Sequence, residues 1–590
     1  MTPGALLLAT MVQIASPNAA PRRVTPVLSF PEAGMDDTAA YQGYTTRFYR
    51  DSRRNTVQIY LDPHDGRVVQ LWADALDESI GFTVRDGRAR PARLTWSGDT
   101  ATVADSGAAR TFTYRLAAPS RDVTIGLFLL GTMRIERDFQ YARAQMRPFT
   151  APPYVVAPES ALVANVARLP AAEQRRQLAL LDAASVGALR SRLQPTVVLV
   201  RSDSTWTVRV ERPALDGRSH LRLELIGDPR RESARVTGGA VSIEARAGSS
   251  VRLTVRTTTD GTPLTPLSRD QIFNAGFLEF LAHARAADSA PGAGMRYRRL
   301  EREVRSVELL SSNEKLMAGL PNFATYFGRD GLMTALMMRS IWTPAMSERV
   351  IASVLGKLAP SGDVSHEEAL GEQAIRENAD EYNALIGAYF QLARDGDRAR
   401  SDSVLAGARS VLRHLRRVRE NYYMMDDEFQ LPVLEARYLV DSTIPDSRKR
   451  AFLLGGTSGR ASRLVLMLRE LALVSAETHP YTQDPVATNL VGFVKRDSTH
   501  WRSASWRDSD AGYAGGRFAM DINAIWAPRA LQSIAEIIAT LRALGFDKAT
   551  LDSLAPEIAR TPFDEWLGDS SSLRKATQTW QGARRHFTVT

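Results

Sequence analysis

Not one of the 590 residues is a cysteine. That absence excludes disulfides, thiolate nucleophiles and every cysteine-built zinc site. It leaves the compartment open. Histidine is scarce: there are eight, none in an HxH or HExxH arrangement, which argues against a histidine-built metal centre. No cofactor is expected. Beyond the N-terminus, no segment approaches the roughly 20 consecutive apolar residues of a membrane helix, so no membrane partner is expected. Low-complexity runs are missing too, and with 24% charged residues the chain does not read as disordered. The charge imbalance is small, 75 basic against 66 acidic residues for a net +9. The densest basic run, Arg413 to Arg419, has helical spacing and reads as a solvated helix face. No continuous basic stripe interleaved with aromatics is present, so nucleic acid is not an expected partner.

What the chain does have is bulk: 44% of it is hydrophobic, enough for two to four domains. Its first residues, GALLLATMVQIASPNAA, carry an apolar run from Ala5 to Ala15, then small residues at Ala19 and Ala20. That pattern suits a secretory signal over residues 1–20 and an exported protein, although MTP supplies no positive side chain in front of it. A linker over 21–40 follows.

From Tyr41 to Thr258 the period is two. TVQIYLD (56–62), RVVQLWAD (67–74), RTFTYRLA (110–117), DVTIGLFLLG (122–131), PTVVLVRS (195–202), WTVRVERP (206–213), HLRLELIGD (220–228) and SVRLTVRTT (250–258) alternate apolar and polar residues between Gly, Asp, Ser and Pro. They predict an antiparallel β-sandwich over 41–265. Ala161 to Leu193 interrupts it with helical composition and is expected to be a helical insertion.

After Asp260 the period becomes 3.6. Helices are expected over 271–285, 330–342, 347–358, 378–394, 398–420, 446–454, 460–477, 484–496, 521–544 and 549–559, with no clear strand between them. Residues 266–590 therefore read as an all-α domain. No fixed sequence period marks a solenoid.

Four stretches stand out. Asn322 to Met338, NFATYFGRDGLMTALMM, packs Phe323, Tyr326, Phe327, Arg329 and Asp330 around Gly328. Asp330 could cap the helix that starts there. Aromatic faces also stack on sugar rings, while Arg and Asp give fixed donors and acceptors for hydroxyls. Gly362 to Tyr389 places His366, Glu367, Glu368 and Glu372 in or before one helical turn, with Asp380 and Glu381 opening the next helix. This is either an acidic, solvated helix start or a rim of hydrogen-bonding groups, with Glu367 and Asp380 as sugar contacts. Tyr422 to Asp441, YYMMDDEFQLPVLEARYLVD, reads as a possible short helix capped by Asp426 or Asp427. Ser503 to Leu531 is a loop rich in Trp, Asp, Ser and Gly leading into a helix at Asp521. An Asp behind a Trp suits a general acid, because an apolar wall raises its pKa.

FGRDGLMTAL resembles the FGRDSLITAL-type signature of bacterial glycogen-debranching (amylo-α-1,6-glucosidase) domains and is similar to the WTRDSA element of glucoamylases. Trp506-Arg507-Asp508 resembles that family's WMD, and Met520 to Trp526 its VEINALW. The resemblance covers Glu314 to Ala583 and implies a six-hairpin, (α/α)6 toroid acting as an inverting glycoside hydrolase on α-glucosidic linkages. It implies that Arg329 and Asp330 grip the sugar in the cleaved subsite and that Asp508 is the general acid, with Asp510 its nearest substitute because Arg507 stands beside it. Tyr326, Phe327, His366, Asp380, Trp506, Asp521 and Asn523 would line the substrate site. Gly331, Arg507 and Asp521 depart from the family's residues. The family's base segment, of the GCIAQAWS type, has no counterpart. Glu368 and Glu367 are the leading second carboxylates, with Glu565 behind them. Ten expected helices fall short of the twelve that six hairpins need, and the end, TWQGARRHFTVT, reads like the start of a strand. A carbohydrate partner is expected in every case. A non-catalytic carbohydrate-binding toroid and a glycan phosphorylase or lyase stay open beside the hydrolase.

Overall fold

In the computed structural model, residues 20–131, 157–215, 217–218, 220–288, 294–320, 323–456, 461–505 and 515–588 are described. The apolar run Ala5–Ala15 and the positions Asn322, Trp506, Arg507, Asp508 and Asp510 lie outside them. The chain divides into two compact units, Met1–Pro263 with Ile375–Leu415, and Leu264–Ala374 with Arg416–Thr590.

The alternating segments of the first unit form two eight-stranded antiparallel sheets. Trp206–Pro213 shows the rule in its plainest form: Trp, Val, Val and Arg are buried, and the residues between them are half-exposed. One sheet orders its strands Arg22–Val24, Ala101–Ser106, Ala109–Ala117, Arg252–Thr259, His220–Gly227, Trp206–Pro213 and Thr196–Arg201, with Thr95–Trp96 also on Ala109–Ala117. The other runs Glu232–Thr237, Ala240–Ala245, Asp122–Leu130, Ser79–Asp86, Arg67–Ala73, Thr56–Asp62, Thr45–Arg50 and Leu28–Phe30. Val57, Ile59 and Phe82 of one and Phe112, Tyr114 and Leu223 of the other share a single hydrophobic cluster. Gln70 donates to the Thr257 hydroxyl across it, at 2.9 Å. Each of the eight expected strands is present, with ends shifted by at most two residues.

The interruption is helical: Ala157–Arg168, Ala171–Leu180 and Val186–Ser191. These helices bury Leu162, Val166 and Leu178 against Ile375, Tyr382 and Leu412 of a hairpin formed by Gly371–Arg394, from Ile375 onward, and Arg398–Arg413. Arg409 makes a two-pronged bond to Glu173 at 2.8 Å, and Asn165 bonds Asn383 at 2.9 Å.

The second unit is helical around Met425–Leu439, a helix buried on almost every face. The segment expected to be a short helix is thus fifteen residues of core, with Pro432 inside it. Gly328–Met338, Pro344–Leu355, Arg463–Gln483 and Ala527–Ala543 share its hydrophobic cluster. Three expectations change here. Residues 484–496 are not a helix: a short 3-10 turn, Ala487–Asn489, gives way to the strand Val494–Lys495. Asp484, Pro485 and Gly492 punctuate that stretch, and a helix would have to run through them. Short strands do occur between the helices, at Met317–Gly319, Phe323–Tyr326, Ser365–Ala369 and Arg419–Tyr423. The chain end is the helix Ser570–Gln581 followed by a 3-10 turn, Ala583–Phe587, because Leu573, Ala576 and Trp580 form a buried helical stripe. No described helix is long and apolar enough to cross a membrane.

Candidate functional site

Two helices of the second unit start in the same way and beside each other. The strand Phe323–Tyr326 runs through Phe327 into Gly328–Met338, and Arg419–Tyr423 runs through Met424 into Met425–Leu439. Between them lies Ser365–Ala369, which pairs antiparallel with Arg419–Tyr423 and bridges through Glu367 to Phe327. The segment HEEA is therefore a strand, not part of a helical turn. Alternation puts His366 and Glu368 on one face and Glu367 on the other. The two helix N-termini bring their positive ends to the first-turn acids Asp330, Asp426 and Asp427. None of the three is a cap: the N-cap positions are Phe327 and Met424.

Their carboxylates meet partners from elsewhere. Asp426 Oδ2 accepts from Arg329 at 3.4 Å, and Arg329 lies 3.7 Å from Asp330. Asp427 Oδ2 and His366 Nδ1 share a 2.9 Å hydrogen bond. Burial pushes Asp427 up to about 7 against the opposing pull of His366. Burial also raises Asp426, opposed by Arg329 and His366, with Asp521 adding to the rise. Asp426 Oδ1 and Asp427 Oδ1 are buried without a hydrogen-bond partner among the described residues.

Gly328 explains itself in this setting. A Cβ there would sit 2.7 Å from Asp427 Oδ1 and 3.0 Å from the Ser365 carbonyl oxygen. The glycine of FGRD is the gap into which the second aspartate fits.

The aromatics divide. Tyr326 is buried; it donates to the Ser365 carbonyl at 3.0 Å and lies under Lys357, 4.5 Å from the ring centre. Phe327 meets His366 and Phe323 edge-on, with ring centres 5.2 and 5.5 Å apart. Phe323 is half-exposed and offers a face. Glu368 is buried and engaged: Thr325 donates to it at 2.8 Å and the Tyr326 N–H at 3.2 Å, with Lys315 and Lys357 at 3.8 and 3.6 Å. Burial would raise its pKa, but the two lysines and these donors outweigh it and hold the carboxylate below its ordinary range. Asn523 is fully occupied, with bonds of 2.9 Å to both backbone groups of Val491 and to Ala519. Asp380 is exposed in the middle of Gly371–Arg394, within the first unit, and Glu565 is exposed and bonded to Ser572.

The fourth motif arrives from the other side. The Met425 N–H donates to the Ala504 carbonyl at 2.8 Å, and Ser505 reaches Asp521 at 3.3 Å. The chain therefore passes residue 505 beside the first turn that holds Asp426 and Asp427. The sequence pattern predicts these two aspartates as caps, whereas the N-cap is Met424. The signal for them was weak: two acids shortly after a pair of tyrosines, in the first turn of a helix whose buried faces also carry Glu428, Gln430 and Glu435.

No family model matches the sequence, and no curated protein matches it. Among solved structures, one similar chain is described as "Putative kojibiose phosphorylase from human microbiome". It is 9% identical, with a TM-score of 0.22. The alignment covers 95% of this chain but 63% of that one. A likeness of that size assigns neither fold nor activity.

Proposed function

We propose that the chain is a carbohydrate-active enzyme of the six-hairpin kind, hydrolysing α-glucosidic bonds at the cluster of Arg329, Asp330, His366, Asp426, Asp427 and Asp521. The observation that carries this reading is the bond from Arg329 to Asp426 beside the anchored Ala504, because it joins three motifs remote in sequence. In this reading Asp508 protonates the glycosidic oxygen as the bond to C1 breaks. Asp508 follows Ala504 by only four positions, a reach of up to about 14 Å. Water attacks C1 from the opposite face and gives its proton to Asp426, so the product is inverted. Asp426 takes this role in place of Glu368 and Glu367: Glu368 already faces two lysines, and one Asp426 oxygen has no hydrogen-bond donor among the described residues. Arg329 and Asp330 hold the sugar's hydroxyls, Phe323 and Phe327 flank its apolar face, and the Asp427–His366 pair shares a proton at the floor.

The test is release of glucose from α-1,4- and α-1,6-glucans by the purified protein, with and without inorganic phosphate. Asp508→Asn and Asp426→Asn should each cost on the order of 100-fold or more in kcat. Full activity in Asp508→Asn removes its role. A rate that requires phosphate makes the enzyme a phosphorylase. Oligosaccharide binding with no turnover on a broad glycoside panel makes it a binding protein.

A further inference from the structure

We propose that the helical unit carries a second ligand site, for a small phosphate-bearing molecule, in a cleft of about 610 Å3 at the C-terminal end of Gly328–Met338. Arg329 and Asp330 belong to the first turn of this helix. Its eleven residues put the two sites about 16 Å apart. The volume is in the ordinary range for a small-molecule site, about 300–1,000 Å3.

The cleft is rich in donors and poor in acceptors. Arg339 and Arg437 both line it. Arg339 Nη1 donates to the Arg437 carbonyl at 2.9 Å, which fixes its fork beside the turn that carries the second arginine. Among the described residues no carboxylate bridges the Arg437 guanidinium. Among the described residues the one acid in the lining is Asp441, which is engaged by the Thr443 N–H and hydroxyl, at 2.9 and 2.6 Å. A third contribution is independent of the arginines. The twelve-residue helix Pro344–Leu355 opens its N-terminus into the cleft through Thr343, Pro344 and Ser347. No side chain caps it, because Thr343 Oγ1 donates to the Gln271 carbonyl at 2.8 Å instead, and its first turn holds no acid. Trp342 also lines the cleft. Its indole N–H is buried with no acceptor among the described residues.

Two helix C-termini border the cleft as well, each worth about half a negative charge. The Asp441 carboxylate adds one full negative charge. Two guanidinium charges and one uncapped N-terminus still exceed the sum, by about half a charge. The surplus calls for an anion, and the fork geometry of arginine matches phosphate oxygens two at a time. A neutral sugar fits less well. It would want an aromatic face, and Trp342 and Tyr438 are 3% and 2% exposed.

Calorimetry on the full chain tests this with glucose 6-phosphate, inorganic phosphate and glucose as probes. Glucose 6-phosphate should bind more tightly than inorganic phosphate, and glucose should give no signal from this cleft. Arg437→Gln should weaken glucose 6-phosphate by about tenfold or more, the loss of one charge-assisted bond. Arg437→Lys should fall between, because it keeps the charge and loses the fork, and it serves if the glutamine variant does not fold. Asp426→Asn should leave the affinity unchanged while it removes glycoside turnover, so the two sites fail separately. Unchanged affinity in both Arg437 variants, no binding of either phosphate probe, or loss of binding in Asp426→Asn would each overturn the proposal.

Discussion

A cluster in the β-sheet unit and a row of acids in the helical unit bury charge in opposite ways. In the first, Arg110 is 1% exposed and pairs with Asp51 and Asp74, themselves fully buried, and it donates to the Gly261 carbonyl at 2.9 Å. Arg67 with Asp62 and Arg212 with Glu159 are further buried pairs in that unit, whereas burial raises Glu232 to about 7. In the second, Glu428 and Glu435 lie seven residues apart on Met425–Leu439, and Glu470 and Glu477 seven apart on Arg463–Gln483. Both carboxyl oxygens of Glu435 and of Glu470 lack a partner among the described residues. Burial pushes Glu428, Glu435 and Glu470 well above the ordinary carboxylate range, and the row's other acids push Glu428 and Glu470 further; burial and Asp363 bring Glu477 to about 7. Carboxyls packed together without cations keep their protons, because a second negative charge in a dry core costs more than a proton retained. The Arg110 cluster is therefore held by ions, and the carboxyl row of Met425–Leu439 and Arg463–Gln483 by protons.

Breaking the ionic side should give the largest effect. Arg110→Met leaves two buried aspartates without their counter-charge and should cost about 3–5 kcal/mol in chemical denaturation. A loss below about 1 kcal/mol would mean that water reaches the pair. The acidic side responds to pH. A glutamate whose folded pKa lies above its unfolded value binds its proton more tightly in the folded chain. Its stabilisation is full at low pH and falls as pH rises, for Glu477 between about 4.5 and about 7. Each retained proton tilts stability by roughly 1.4 kcal/mol per pH unit in that window. Melting curves from pH 5 to 8 should show the fall, and a flat profile would refute the neutral-acid reading. Glu435→Leu combined with Glu470→Leu should flatten the profile and, at pH 8, stabilise the unit by about 1–3 kcal/mol, since apolar residues replace buried acids.

Gly328→Ala links that core to the candidate site. The added methyl presses on Asp427, the residue before Glu428, and should cost about 1–3 kcal/mol with a loss of activity. Wild-type stability and turnover would remove the close approach from the account. The smallest effect belongs to the surface. Asp99, with its side chain 80% exposed and paired to Arg47, should change stability by about 0.5 kcal/mol or less on replacement by Ala.

The sheet strands were legible because their inner faces are apolar at every second position, and burial follows that alternation directly. The helical half was less so. Met425–Leu439 carries Asp426, Asp427, Glu428, Gln430 and Glu435 and still packs on almost all sides, so its acids masked a core helix as a polar turn. His366 and Glu368 were found as a cluster, but strand pairing with Arg419–Tyr423, which local composition does not announce, decided that they share a face.

The sequence by itself determined the periods, and with them the two kinds of architecture; it also singled out the Gly328-Arg329-Asp330 turn and the segment that begins at Ser503. Those are local properties of neighbouring residues. Only the tertiary structure decided that Arg329 meets Asp426, 97 positions away, that His366 meets Asp427, 61 positions away, and that Glu368 is engaged by Lys315 and Lys357. It also decided which carboxyls keep their protons, because a pKa depends on burial and on the nearest charges, and both are set by how distant segments pack.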